Sequence, residues 1–196
     1  MYKIIGFVGP SGCGKDTAAR YLANKYPDKY HYVKLCTTRF QRNKDDNGYI
    51  FLPPQQFLNQ VLDGRMLSAQ EFRGWFYGLN NEGLVEDKIN LLPMNAEMVM
   101  QMREEENIRD YDLKIFYIVT HGKERLLHVL KREEDPDCKE ICRRYLADID
   151  DYTKNNELWS SCDKAIENKY DANFLLSLEW SILRDDWFHD NKDKID

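Results

Sequence analysis

Apolar and polar positions along the chain switch repeatedly between two periods. Three short apolar runs read as buried strands: Ile4-Ile5-Gly6-Phe7-Val8, the run 88–92 ending at Pro93, and Ile115-Phe116-Tyr117-Ile118-Val119, the most apolar of them. A shorter segment, 164–167, reads as a last strand. Between these runs, apolar residues recur every three or four positions. That spacing predicts helices over 17–26, 96–106, 122–130, 139–159 and 170–187. Pro27 ends the first helix, and Asn95 is placed to cap the second. Ile141, Tyr145, Ile149 and Tyr152 mark one stripe of the long fourth helix.

Strands alternating with helices predict an α/β three-layer fold with a central parallel sheet. One block interrupts the alternation. Residues 32–35 read as a short strand, and Tyr49-Ile50-Phe51 as another. Pro53-Pro54 opens a helix through Phe57, Leu58 and Val61, which Asp63-Gly64 stops. Two β segments, 66–72 and 75–77, flank Gly74. The block predicts a small β-rich insertion beside the carboxyl edge of the main sheet, where open α/β sheets bind ligands. A charged break follows at 131–137, and the chain shows no internal repeats.

Composition narrows the class. The chain has 196 residues, 42% hydrophobic and 32% charged, enough for one sizeable core. Twenty-eight basic against thirty-four acidic residues leave a net charge of −6. There is no global attraction for nucleic acid or an anionic membrane, so an anionic ligand needs local Arg and Lys clusters. No apolar run reaches membrane-spanning length. The chain opens on a core strand and its five cysteines show no C-x-x-C pair. The expectation is a cytoplasmic protein with reduced thiols, monomeric or homodimeric.

The chemistry is densest where the first strand ends. Gly9-Pro10-Ser11-Gly12-Cys13-Gly14-Lys15-Asp16-Thr17 fits G-x-x-x-x-G-K between a strand and a helix, the P-loop spacing. Glycines let backbone N–H groups turn inward around a phosphate chain, and the following helix points its positive end at the same anion. Lys15 adds a mobile charge for the β- and γ-phosphates of ATP. Asp16 stands where Ser or Thr normally places a hydroxyl on Mg²⁺, and Thr17 carries a hydroxyl one residue later. Asp16 either supplies a hard oxygen ligand to Mg²⁺ or only complements the helix dipole.

Further motifs follow in order: Thr37-Thr38-Arg39-Phe40-Gln41-Arg42, Gly48-Tyr49-Ile50-Phe51 and Gly74-Trp75-Phe76-Tyr77-Gly78, then Arg132 and Arg143-Arg144. Together with the P-loop they resemble the guanylate kinase family over most of the chain. The resemblance implies a P-loop fold with a core (1–34, 85–131, 146–196), an NMP-binding region (35–84) and a short lid (132–145). It implies that Arg39, Arg42, Tyr49 and Tyr77, with Thr38, hold an acceptor phosphate. Guanidinium forks and phenol hydroxyls suit that task. It places Arg132, Arg143 and Arg144 over the transferring phosphoryl group, beside the catalytic Lys15 and Arg39.

The base pocket departs from the family's pattern. Leu35 or Cys36 aligns with its serines, Ser68 with a glutamate, with Glu71 three residues on, and Pro93 and Asn95 with two aspartates. Losing several polar readers at once weakens guanine discrimination. The expected activity is ATP- and Mg²⁺-dependent phosphorylation of GMP, dGMP or a related monophosphate. A ribose 1,5-bisphosphate phosphokinase also resembles this family and shares the Asp after the P-loop lysine. A non-catalytic guanylate-kinase-like protein-binding module is the third reading, against which Lys15 and the loop glycines are intact.

Overall fold

The computed structural model describes residues 1–41, 47–72, 74–104, 111–132, 136–153 and 156–184. The apolar runs pair side by side. Strand β1 (Tyr2–Val8) is central to a five-stranded, wholly parallel sheet, with β7 (Ile89–Pro93) and β8 (Tyr111–Val119) as its neighbours. The edges are β2 (Tyr30–Tyr32) and β9 (Lys164–Glu167). Alternate side chains of β1 feed two cores, as the strand period of two requires. Ile5 and Phe7 pack with Ala18, Leu22, Phe174 and Leu178 from α1 (Lys15–Lys25) and α7 (Asn173–Leu183). Ile4 and Val8 pack with Val99, Met102 and Leu158 from α3 (Ala96–Glu104) and α6 (Asn156–Ser160). All of these side chains are buried, and those larger than Ala18 each contribute about 1.5–3 kcal/mol of transfer free energy. A parallel sheet with helices on both faces is the expected three-layer α/β arrangement.

A second sheet stands beside the first, in the order β4 (Tyr49–Phe51), β3 (Leu35–Thr37), β6 (Trp75–Asn80), β5 (Met66–Phe72). β3 and β4 run parallel; β6 is antiparallel to both β3 and β5. Helix α2 (Pro54–Leu62) covers it, with Phe57 buried and its ring stacked on Phe76 at 5.6 Å. Helices α4 (Gly122–Arg132) and α5 (Cys138–Thr153) complete the described elements and pack on each other.

Some elements differ from the sequence expectation. The expected strand 32–35 is two strands in two sheets. Val33 is buried and its N–H still donates to Leu91 O at 3.0 Å, but Leu35 already pairs with Tyr49. No Gly or Pro separates the two strands; which sheet each residue joins is a tertiary choice. The expected helix 139–159 is α5 followed by α6, and the last helix begins at Asn173, where Asp171 Oδ1 accepts the Asn173 N–H at 3.0 Å.

Candidate active site

Strand β1 delivers the chain into residues 9–14, and α1 leaves from Lys15. Gly12 and Gly14 have φ of +82° and +104°, a left-handed backbone that L side chains resist. Space excludes a side chain as well: a Cβ on Gly12 would lie 2.4 Å from Val129 Cγ2. The Cys13 N–H closes the turn on Pro10 O at 3.1 Å. Lys15 Nζ donates to Gly9 O at 2.6 Å and Pro10 O at 3.1 Å, which holds the ammonium against the loop. Cys13 is buried beneath it, and burial pushes its thiol up, so its side chain is a neutral core group. What Cys13 offers an anion is its backbone N–H.

A buried ion pair grips the loop from outside. Arg125 Nη1 donates to Asp148 Oδ2 at 2.7 Å, and both residues are buried. Asp148 accepts the Ser11 N–H at 2.8 Å and the Ser11 hydroxyl at 3.2 Å, while Arg125 also donates to Ser11 O at 3.0 Å. The guanidinium lies 4.5 Å from the centre of the Tyr145 ring. The loop is thus tied to α4 and α5. From the β9 side, buried Asn168 donates to Cys13 O at 2.8 Å and the Tyr170 hydroxyl to Gly12 O at 3.0 Å. Tyr170 pays for this contact with φ of +60°, held by its N–H donating to Asn168 Oδ1 at 2.7 Å.

Two cavities meet at Lys15 and Asp16. The first, about 400 Å³, gathers Ser11 from the loop, Lys15 and Asp16 from the start of α1, Arg39 from just beyond β3, Tyr49 and Tyr77 from the second sheet, and Arg143 and Arg144 from α5. Leu35 and Asn95 line it too. The second, about 320 Å³, gathers Gly12, Gly14, Thr17 and Arg132 with His128 and Tyr170, whose rings stack at 4.3 Å. Arg132 therefore stands at a different cavity from Arg143 and Arg144. Arg39 lies over the Tyr49 ring at 5.1 Å and donates to Phe40 O at 2.8 Å. Both lid guanidiniums share one carboxylate: Arg143 reaches Glu140 at 2.6 and 2.8 Å, and Arg144 at 2.6 Å. These bonds, Arg143's first, hold the Glu140 carboxyl down to about 2.

Not every expected residue faces the first cavity. Arg42 lies outside the described residues. Thr38 is buried, its hydroxyl oxygen accepting the Phe76 N–H at 2.9 Å, so it joins β3 to β6. Ser68 is buried and donates to Gln101 Oε1 at 3.1 Å, on α3. Glu71 is exposed on the opposite face of β5. Gln70, two residues beyond Ser68 on the same face, lines the cavity instead. Gln70, Arg125, Asp148, Asn168 and Tyr170 all escape the motifs. A sequence signal existed only for Asp148, a carboxylate set within the apolar stripe of Ile141, Tyr145 and Tyr152.

The donor set fits a phosphate chain carrying a divalent cation. The loop and the α1 N-terminus present backbone N–H groups and Lys15 to an anion. Asp16, which accepts the Tyr32 hydroxyl at 3.0 Å, is the carboxylate both cavities share. Among the described residues no group of three or more His, Cys, Asp or Glu side chains is arranged to hold a metal. One carboxylate with phosphate oxygens and waters is a usual Mg²⁺ environment.

The chain is 36% identical to a guanylate kinase of Trichormus variabilis over 85 residues, 42% of each protein, and 36% identical to one of Streptococcus thermophilus over 77 residues, 38% of this chain and 37% of that protein. It thus spans about two fifths of the length of these curated relatives. It is also 27% identical to Protein PALS1 of Danio rerio over 135 residues, 66% of this chain but 19% of that protein. The crystal structure of guanylate kinase from Anaplasma phagocytophilum superposes with a TM-score of 0.60 at 19% identity, over 93% of this chain and 85% of that one, a likeness of fold. The guanylate kinase family model matches residues 1–170, well over half the chain, and the protein therefore belongs to the guanylate kinase family.

Proposed function

We propose that the protein is an ATP-dependent nucleoside monophosphate kinase that moves the γ-phosphoryl group onto the phosphate of GMP, dGMP or a related monophosphate. One observation carries this reading: a single cavity brings Lys15 and Asp16 at the start of α1 to Arg39 beyond β3, to Tyr49 and Tyr77 of the second sheet and to Arg143 and Arg144 of α5. A phosphate-loop lysine on one wall and a phosphate-gripping arginine with two phenols on another suit two phosphates meeting end to end.

Positioning and charge neutralisation then carry the chemistry, with no covalent intermediate on the protein. The loop N–H groups, with Lys15 freed from Gly9 O and Pro10 O, hold the donor's β- and γ-phosphates. Arg39, Tyr49 and Tyr77 orient the acceptor phosphate for in-line attack. Arg143 and Arg144, turning from Glu140 to the γ-phosphoryl group, stabilise the charge spread over its oxygens. Asp16 would hold a Mg²⁺ ion beside the donor phosphates, where the ion would supply charge neutralisation. The second cavity, with His128 and Tyr170 stacked at its wall, suits the donor's nucleoside. The partners on this reading are small nucleotides. No helix among the described residues is long and apolar enough to cross a membrane.

An ATP-consumption assay over four nucleoside monophosphates and ribose 1,5-bisphosphate tests the proposal. Turnover with a monophosphate supports it. Turnover with ribose 1,5-bisphosphate alone makes the protein a sugar phosphokinase, and none with any acceptor leaves a binding module.

A further inference from the structure

One residue lining the first cavity carries a polar atom with no partner among the described residues. Gln70 is 7% exposed and lines the cavity, yet its Oε1 is buried with no hydrogen-bond partner among the described residues. A native fold rarely leaves such an acceptor unmade, so the geometry calls for a ligand donor there. The orientation of the amide is fixed. Gln70 Nε2 donates to Asn95 Oδ1 at 2.9 Å, and the same Oδ1 caps α3 by accepting the Met98 N–H at 2.8 Å. With Oδ1 doubly engaged, Asn95 must present Nδ2, a donor, on its other side. Asn95 also lines the cavity. The cavity's apolar lining includes Leu35, Phe72, Pro93, Met94 and Met98.

We propose that Gln70 Oε1 and Asn95 Nδ2 read the edge of the acceptor's base as one neutral acceptor beside one neutral donor. This rests on the kinase reading above. Such a pair matches a ring N–H next to a carbonyl, as oxopurines, uracil and thymine present. A carboxylate at this place would be acceptor-only and would match two N–H donors, the ring N–H and the 2-amino group of guanine. Here the 2-amino group has no assigned partner. The ligand class is therefore nucleoside monophosphates whose base carries a ring N–H beside a carbonyl, and among the oxopurines GMP and IMP alike. Gln70 is a specificity residue in contact with substrate, and Ser68, turned to Gln101, takes no part.

The test is titration calorimetry of the full chain with GMP, IMP and ribose 5-phosphate, which has the phosphate but no base. The wild type should bind GMP and IMP within about threefold. Gln70→Met should weaken both about tenfold, the worth of one well-placed neutral hydrogen bond, and leave ribose 5-phosphate unchanged. Asn95→Asp keeps the helix-capping oxygen and turns the donor into an acceptor, so it should create about a tenfold preference for GMP over IMP. That shift needs only a folded Asn95→Asp protein and stands if Gln70→Met does not fold. A wild type favouring GMP over IMP by about 100-fold, or Gln70→Met binding both as before, overturns the base reading and leaves the kinase reading standing. A chain that binds neither monophosphate overturns both.

Discussion

The two ends of the first cavity are built on opposite principles. At the phosphate end nearly every group is charged and tied down. Lys15 is held on loop carbonyls, Ser11 is clamped by the buried Arg125–Asp148 pair, and Arg143 and Arg144 share Glu140. At the base end the polar pair is neutral, set in apolar walls, with one acceptor unmet. The difference follows from the ligand. Phosphate charge does not vary between nucleotides, so it can be met by fixed, costly charges. A base edge varies only in where it donates and accepts, and neutral groups discriminate that at little desolvation cost. Damage at the phosphate end should therefore be large and indifferent to the base, and damage at the base end small and selective.

The largest effect expected is from Lys15→Ala. The side chain is half-buried and bonds only loop atoms among its described partners, so the fold should survive. Turnover should fall by about 10³ or more, because the lost charge acts where transition-state charge develops. Near-normal turnover in a folded variant would break the comparison at its root.

Next comes Asp148→Ala, which leaves the Arg125 guanidinium buried without its carboxylate. Removing one member of a buried pair costs about 3–5 kcal/mol. For a chain of this length that lowers the melting temperature by roughly 10 °C. Arg125→Met with Asp148→Leu should regain most of that stability while the Ser11 clamp stays broken. A double variant as unstable as the single would show that Asp148 stabilises through Ser11 alone.

Asp16→Ala should be milder, raising the Mg²⁺ needed for half-maximal turnover about tenfold, with Asp16→Ser recovering much of it. An unchanged Mg²⁺ titration would reduce Asp16 to a dipole partner at the start of α1.

How much of this was legible in the sequence tracks the same division. The loop could be read because its geometry is local: strand, glycines and helix are contiguous, and Gly12 and Gly14 take backbone that few other residues can. The inner strands β1, β7 and β8 of the parallel sheet were legible for the same reason, from local apolar runs, whereas the edge strand β2 was not. The clamp was not, since Arg125 and Asp148 are 23 residues apart and meet only when α4 packs on α5. Nor was the role of Gln70. The register of β5 against β6 shifts between Met66 and Ser68, and α3 draws the Ser68 hydroxyl away, so alignment alone favours Ser68. Ser68→Glu, an attractive change on sequence grounds, would bury a carboxylate against Gln101 instead of offering it to a base.

The smallest expected effect sharpens the comparison most. Glu140 is the carboxylate at the phosphate end whose partners must be given up in use, because Arg143 and Arg144 are needed by the phosphoryl group. Its side chain is 33% exposed and that of Arg143 50% exposed, so solvent screens the pair and its net worth is about 0–1 kcal/mol. The sign is that of a depressed carboxyl. The contribution is present above the ordinary glutamate range near 4.3 and fades as pH falls towards about 2. Glu140→Gln should therefore shift the melting temperature by no more than a few degrees at pH 7 and remove that acid-limb contribution. It should also release two guanidiniums to phosphate and lower the KM for ATP a few-fold. The buried Asp148 carboxylate cannot be exchanged in this way, since its partner has no water to turn to. If Glu140→Gln instead raises KM, the carboxylate pre-positions the arginines rather than competing for them, and the phosphate end is rigid throughout.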